Sequence, residues 1–126
     1  MYFAEAAIAA GDPELALSTL DQATAAAGEE ILVLASPVAR VRGSALMALG
    51  RLPEAGECFA SALAEARRQS ALYHELLTLR DRALLALIRG EEPDTEEMRE
   101  AGRLAHLLDV PETPYPEDLP QLSMSE

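Results

Sequence analysis

Three times along the chain a glycine stands two or three residues ahead of a proline: Gly11-Asp12-Pro13, Gly50-Arg51-Leu52-Pro53 and Gly90-Glu91-Glu92-Pro93. The prolines fall at 13, 53 and 93, forty residues apart each time. Glycine ends a helix in the left-handed conformation, and proline fits the first turn of the helix that follows or the link into it. Punctuation at a fixed period constrains the chain to repeat one helix–turn–helix unit. Composition agrees. Of the 126 residues 49% are hydrophobic, mostly Ala and Leu, and only 4% are aromatic, which favours helix over sheet.

The central unit, ARVRGSALMALGRLPEAGECFASALAEARR from Ala39 to Arg68, shows how its two helices pack. Gly43 and Leu46 share a face of the first helix, Gly50 closes it and Pro53 opens the second, where Ala55, Phe59 and Ala62 follow at four- and three-residue steps. Antiparallel helices approach closely where one offers Gly or Ala and the other fills the hollow with a large side chain. The pattern Gly-x2-Leu…Ala-x3-Phe-x2-Ala resembles the unit of a tetratricopeptide-type repeat. The expected fold is all-α: three antiparallel helix pairs in a right-handed solenoid. The period exceeds the usual repeat of about 34 residues, so each helix should run roughly one turn longer.

The expected repeats span about 1–28, 29–69 and 70–109, in one domain (1–109) with a single core. In the first, Phe3 to Ala10 precedes a helix capped by Asp12 whose Leu15, Ala16, Leu20 and Ala23 face its partner. Ala16, Leu20 and Ala23 match Ala55, Phe59 and Ala62 at an offset of 39. Gly28 should end that helix, with Glu29 to Ala35 helical again. Ser36-Pro37 then marks either a kink or a fresh start capped by Ser36. The third repeat opens near Ala71 and buries Leu72, Leu76, Leu79, Ala83 and Ala86. In its second helix Thr95 and Arg99 replace the Ala and Phe positions, and Met98, Ala101, Leu104, Ala105 and Leu108 form the apolar stripe. Asp94 or Thr95 caps it, and Glu96, Glu97 and Glu100 suit the positive end of its dipole. A polar outer face here suits the terminal cap of a repeat array. Residues 110–126, with four prolines and no periodicity, read as an extended tail.

The net charge of −12 is uneven. Residues 1–50 hold six acids and two Arg (−4), residues 51–90 five acids and six Arg (+1), and residues 91–126 eleven acids and two Arg (−9). Such a surface repels phosphate backbones, so nucleic acid is not an expected partner. All ten basic residues are Arg, with no Lys for a Schiff base or phosphate loop; a GC-rich, bacterial genome is the simplest source of that bias. A single cysteine excludes an intrachain disulfide and suits a reducing cytoplasm. Neither a membrane span nor a basic signal-peptide start is evident.

The segment RVRGSALMALGRLPEAGECFASALAEARRQSALYHELLTLRDRALLAL is similar to the tetratricopeptide-like region at the C-terminal end of large bacterial signalling proteins. Cyclase/ATPase proteins and LuxR-type regulators carry such a region, and a weaker likeness extends over about residues 4–110. The resemblance implies a regulatory or partner-docking module. No cyclase or ATPase motif is present, so neither activity transfers.

Candidates for chemistry are few. Cys58 beside Phe59 reads as a small buried hydrophobe rather than a nucleophile. His74 and His106 lack ligand-like neighbours at helical spacing, and the acidic run 91–100 lacks the glycine and alternation of a calcium loop. No catalytic residue, metal or cofactor is expected. The candidate site is a groove lined by the first helix of each repeat: Arg40, Ser44 and Met47, and forty residues on Arg80, Leu84 and Leu87. An arginine ladder with steps of about 20 Å would receive a protein or peptide, in particular an acidic or C-terminal segment. The chain's own tail is one such segment. The alternative, favoured because surface pairs are common, is that both arginines pair with Glu75, Asp81 or other acids. A homodimer stacked through exposed Phe3, Ala7 and Ile8, and a small-molecule sensor, are the rival functions.

Overall fold

Five helix ends in the protein are built alike. In each, one residue adopts the left-handed conformation and donates its N–H three residues back, and the next residue donates five back, the Schellman arrangement. Gly11, Gly50 and Gly90 take this position with φ of +87°, +79° and +77°. The second bonds run from Asp12 to Ala7 (2.7 Å), Arg51 to Leu46 (2.9 Å) and Glu91 to Ala86 (2.8 Å). Ser70 and Asp109 do the same at φ of +54° and +57°, with Ala71 bonding Ala66 and Val110 bonding Ala105. The structure, a computed structural model, describes residues 2–27 and 35–110. Within them lie six helices: α1 (Tyr2–Ala9), α2 (Pro13–Ala27), α3 (Ala35–Ala48), α4 (Leu52–Arg68), α5 (Leu72–Ile88) and α6 (Thr95–Leu108). The all-α expectation is met. Gly28, residues 29–34 and the tail 111–126 lie outside the described residues.

Helix starts follow their capping chemistry. Asp12 Oδ1 accepts from Leu15 N (3.1 Å) and Asp94 Oδ1 from Glu97 N (3.0 Å). At α4 no side chain caps; Arg51 instead grips Glu54 through two 2.7 Å bonds. Ser36 does not act as a cap either. Its buried hydroxyl donates to the Ala62 carbonyl of α4 at 2.8 Å, pinning the start of α3 to its partner.

Consecutive helices pack on one another, and in addition α1 packs on α3 and α3 on α5. The odd-numbered helices thus form a continuous row, whereas among the described residues no two even-numbered helices approach each other as closely along their backbones. Among the described residues the expected core divides into three clusters in series, the first two bridged by Leu17. Ala4, Ala7, Ala16, Leu20, Val41 and Ala45 join α1, α2 and α3. Leu46, Ala55, Phe59 and Leu85 join α3, α4 and α5. Leu63, Leu76, Leu79, Ala101, Leu104 and Ala105 join α4, α5 and α6. Each cluster couples a helix pair to its neighbour.

Some expected core positions are on the surface. Leu15 is 41% exposed, about 100° round the helix from buried Ala16. Ala23 is exposed because α1 has only 8 residues against 15 in α2, so the far half of α2 extends past its partner. Met98 is exposed too, one turn before the first buried residue of α6, where α5 presents Arg82 to Glu97 through two 2.9 Å bonds. Ala86 is half-buried. Ala7, expected at an open end, is 6% exposed inside the first cluster, and Ile8 packs against it. The side chain of Phe3 lies outside the description.

Candidate functional site

Arg40 sits at the middle of the odd-helix row, and its guanidinium is divided between the two neighbours. One terminal nitrogen stands 3.2 Å from Asp81 Oδ2 on α5, the other 3.2 Å from Glu5 Oε2 on α1. Arg40 and Asp81 are each 13% exposed and Glu5 44%, so the Asp81 arm is shielded and the Glu5 arm faces water. Two points about the expected ladder follow. Helices α3 and α5 touch, so the step between them is one interhelical distance, about 8–10 Å, not about 20 Å. At Arg40 the carboxylates come from the chain itself, which is the alternative favoured from the sequence. Of the acids anticipated, Asp81 serves Arg40, whereas buried Glu75 pairs with Arg67 at 3.1 Å.

The remaining expected groove residues separate into two groups. Ser44 is half-buried and shares with Glu5, Ile8, Ala9, Arg40 and Val41 a recess of about 210 Å³ between α1 and α3. Met47 is half-buried against the Leu46–Phe59 cluster and serves the core. On α5, Arg80 and Leu84 are half-buried and Leu87 is 55% exposed.

Tyr73 and Leu77 extend this last group. Tyr73 is 52% exposed and Leu77 half-buried. Positions 73, 77, 80, 84 and 87 are spaced four, three, four, three, which keeps them within about 40° of one line along the helix. Four of the five are apolar. The rest of α5 is taken: Asp81 turns toward α3, Leu85 toward α4, and Leu76 and Leu79 toward α6. The stripe is therefore the open face of a helix packed on its other sides. Repeat register places Arg80, Leu84 and Leu87 on this face in the sequence; Tyr73 and Leu77 join it by helical spacing, a signal the forty-residue register does not carry.

His74, beside the stripe, is held below the ordinary imidazole value, first by burial and then by the Arg40 charge, with Glu5 opposing. Its Nδ1 and the Nε of Arg40 are buried without a partner among the described residues. Tyr73 lies tilted against His74, ring centroids 6.1 Å apart. Elsewhere, burial raises the Cys58 thiol, with Arg42 opposing. Cys58 lines recesses of about 410 and 390 Å³ beside α3 and α4. Among the described residues no three His, Cys, Asp or Glu side chains gather as metal ligands, and no helix is long and apolar enough to cross a membrane. Comparison with protein-family models, with curated proteins and with solved structures finds no match to this chain.

Proposed function

We propose that the chain is a tetratricopeptide-like helical-repeat scaffold, not an enzyme, that docks a protein or peptide segment along the row of α1, α3 and α5. In a bacterial signalling protein such a module would hold a partner for regulation. The tetratricopeptide reading is supported by three serial clusters, by a row of first helices with second helices outside, and by Gly43 facing Phe59. The observation that carries the function is the α5 stripe: Tyr73 and Leu87 exposed and Leu77 and Leu84 half-buried on one line, with Arg80 among them. Apolar rows on an otherwise acidic surface mark contact sites, and aromatic and Arg anchors supply most of the affinity at such sites. Arg40, tied to Glu5 and Asp81, holds the three helices in register rather than contacting the ligand.

A random peptide library displayed on phage and selected against the full chain tests this reading. Enriched peptides should bind the wild type and lose about tenfold or more in affinity on Leu84→Asp/Leu87→Asp. Leu87 is exposed and Leu84 half-buried, and neither belongs to a core cluster, so the variant should keep its helical spectrum. Peptides indifferent to that variant would overturn the assignment of the stripe.

A further inference from the structure

We propose that residues 111–126 of the same chain lie on the α5 stripe and compete with the external segment; this rests on the groove reading above. The first ground is where the described chain ends. Asp109 turns the backbone through the left-handed conformation, and Val110 bonds Ala105 and packs, half-buried, on the cluster that also receives Leu72. The chain therefore leaves α6 at the Leu72 end of α5, one residue from the start of the stripe at Tyr73.

Reach is the second ground. From Tyr73 to Leu87 the stripe runs about 21 Å at 1.5 Å per residue. Sixteen residues in the extended form that Pro111, Pro114, Pro116 and Pro120 favour span about 50 Å. The segment covers the stripe with slack, and tethering supplies an effective concentration in the millimolar range, so weak contacts suffice.

Chemistry is the third. The segment alternates prolines and acids with Tyr115, Leu119, Leu122 and Met124. Its apolar side chains suit Tyr73, Leu77, Leu84 and Leu87, and Glu117-Asp118 carry the charge that Arg80 attracts. A second copy seated on the same stripe is the rival occupant that the mixing experiment separates. The external ligand that displaces the segment then shares its character: extended, proline-spaced, apolar and acidic.

A nitroxide on Ser123→Cys in the full-length Cys58→Ser chain provides the test. The label should broaden the amide NMR signals of residues 73–88, and adding Leu84→Asp/Leu87→Asp should abolish the effect. Mixing isotope-labelled chain with spin-labelled, isotope-free chain should produce no broadening. Broadening in that mixture would assign the contact to a second copy and overturn the proposal, as would no broadening at 73–88 or broadening that survives the stripe variant. In the unlabelled full chain, Leu119→Ser/Leu122→Ser/Met124→Ser should tighten binding of a phage-selected peptide about tenfold, because the free fraction of the groove rises. Unchanged peptide affinity, still dependent on Leu84 and Leu87, would overturn tail occupancy while leaving the groove reading intact.

Discussion

A β-carbon placed on Gly43 of α3 would stand 2.6 Å from Cε1 and 2.8 Å from Cδ1 of Phe59 on α4. Phe59 is fully buried, so its ring cannot swing into solvent. The glycine is required because a ring occupies the space its side chain would fill. Alanine at position 43 should gain up to about 1 kcal/mol of helix propensity but lose about 1–3 kcal/mol to overlap, for a net destabilisation; leucine should cost more. Phe59→Ala should cost about 3–5 kcal/mol through the cavity it leaves. Gly43→Ala in a Phe59→Leu background, which lacks the colliding ring atoms, should be nearly neutral. Urea unfolding of the four species in this cycle measures the coupling, and additive costs would mean the two sites do not share space.

The left-handed helix ends allow opposite outcomes at equivalent places. Gly50→Ala should destabilise by about 1–2 kcal/mol, since an L side chain strains that backbone. Ser70→Gly should stabilise by about 0.5–1 kcal/mol by relieving the same strain. Asp109→Gly should gain less, because Asp visits this region more readily. Thermal melts would show one midpoint falling and two rising; a drop for Ser70→Gly would contradict the account.

Arg40 divides its charge unequally, and the two arms should separate on mutation. Glu5→Gln, on the exposed arm, should change stability by no more than about 0.5 kcal/mol. Arg40→Met leaves shielded Asp81 without this partner and should cost about 1–3 kcal/mol. Salt should weaken the Glu5 arm far more than the Asp81 arm. Equal costs for both variants would show that burial does not grade the two contacts.

His74 makes stability depend on pH in a defined window. Its folded value lies below the ordinary one of about 6.5, so on acidification the unfolded chain takes up the proton first. The stability it contributes is complete above the unfolded value, declines as pH falls through the interval to the folded value, and does not return below it. Glu54, Glu65 and Glu100, lowered first by hydrogen bonds from Arg51, Arg68 and Arg103, act in the same direction but only below the ordinary carboxylate value. Denaturation at pH 7.5 and 5.5 should show a smaller loss for His74→Gln than for wild type. The His74 ring signal should titrate below 6.5, and higher in Arg40→Gln.

Local chemistry determined much of this protein. Gly11, Gly50 and Gly90 announce helix ends because a left-handed turn is a property of one residue's backbone, legible without neighbours. Gly43 and Phe59 match as hollow and knob because helical spacing alone puts small and large residues on facing lines. The asymmetric partnerships were decided in three dimensions. Arg40 meets carboxylates 35 residues before it and 41 after it, and Ser36 meets a carbonyl 26 residues away. Those pairings depend on how one helix pair sits on the next, a sum of many small packing choices that no single stretch encodes. The same holds for exposure. Leu15, Met98 and the α5 stripe have periodicities as good as those of buried rows; only the placement of neighbouring helices left them open. Ser70 and Asp109 show the limit from the other side. There the hydrogen bonds of the closing turn and the packing around them hold a conformation that the residue type alone does not choose.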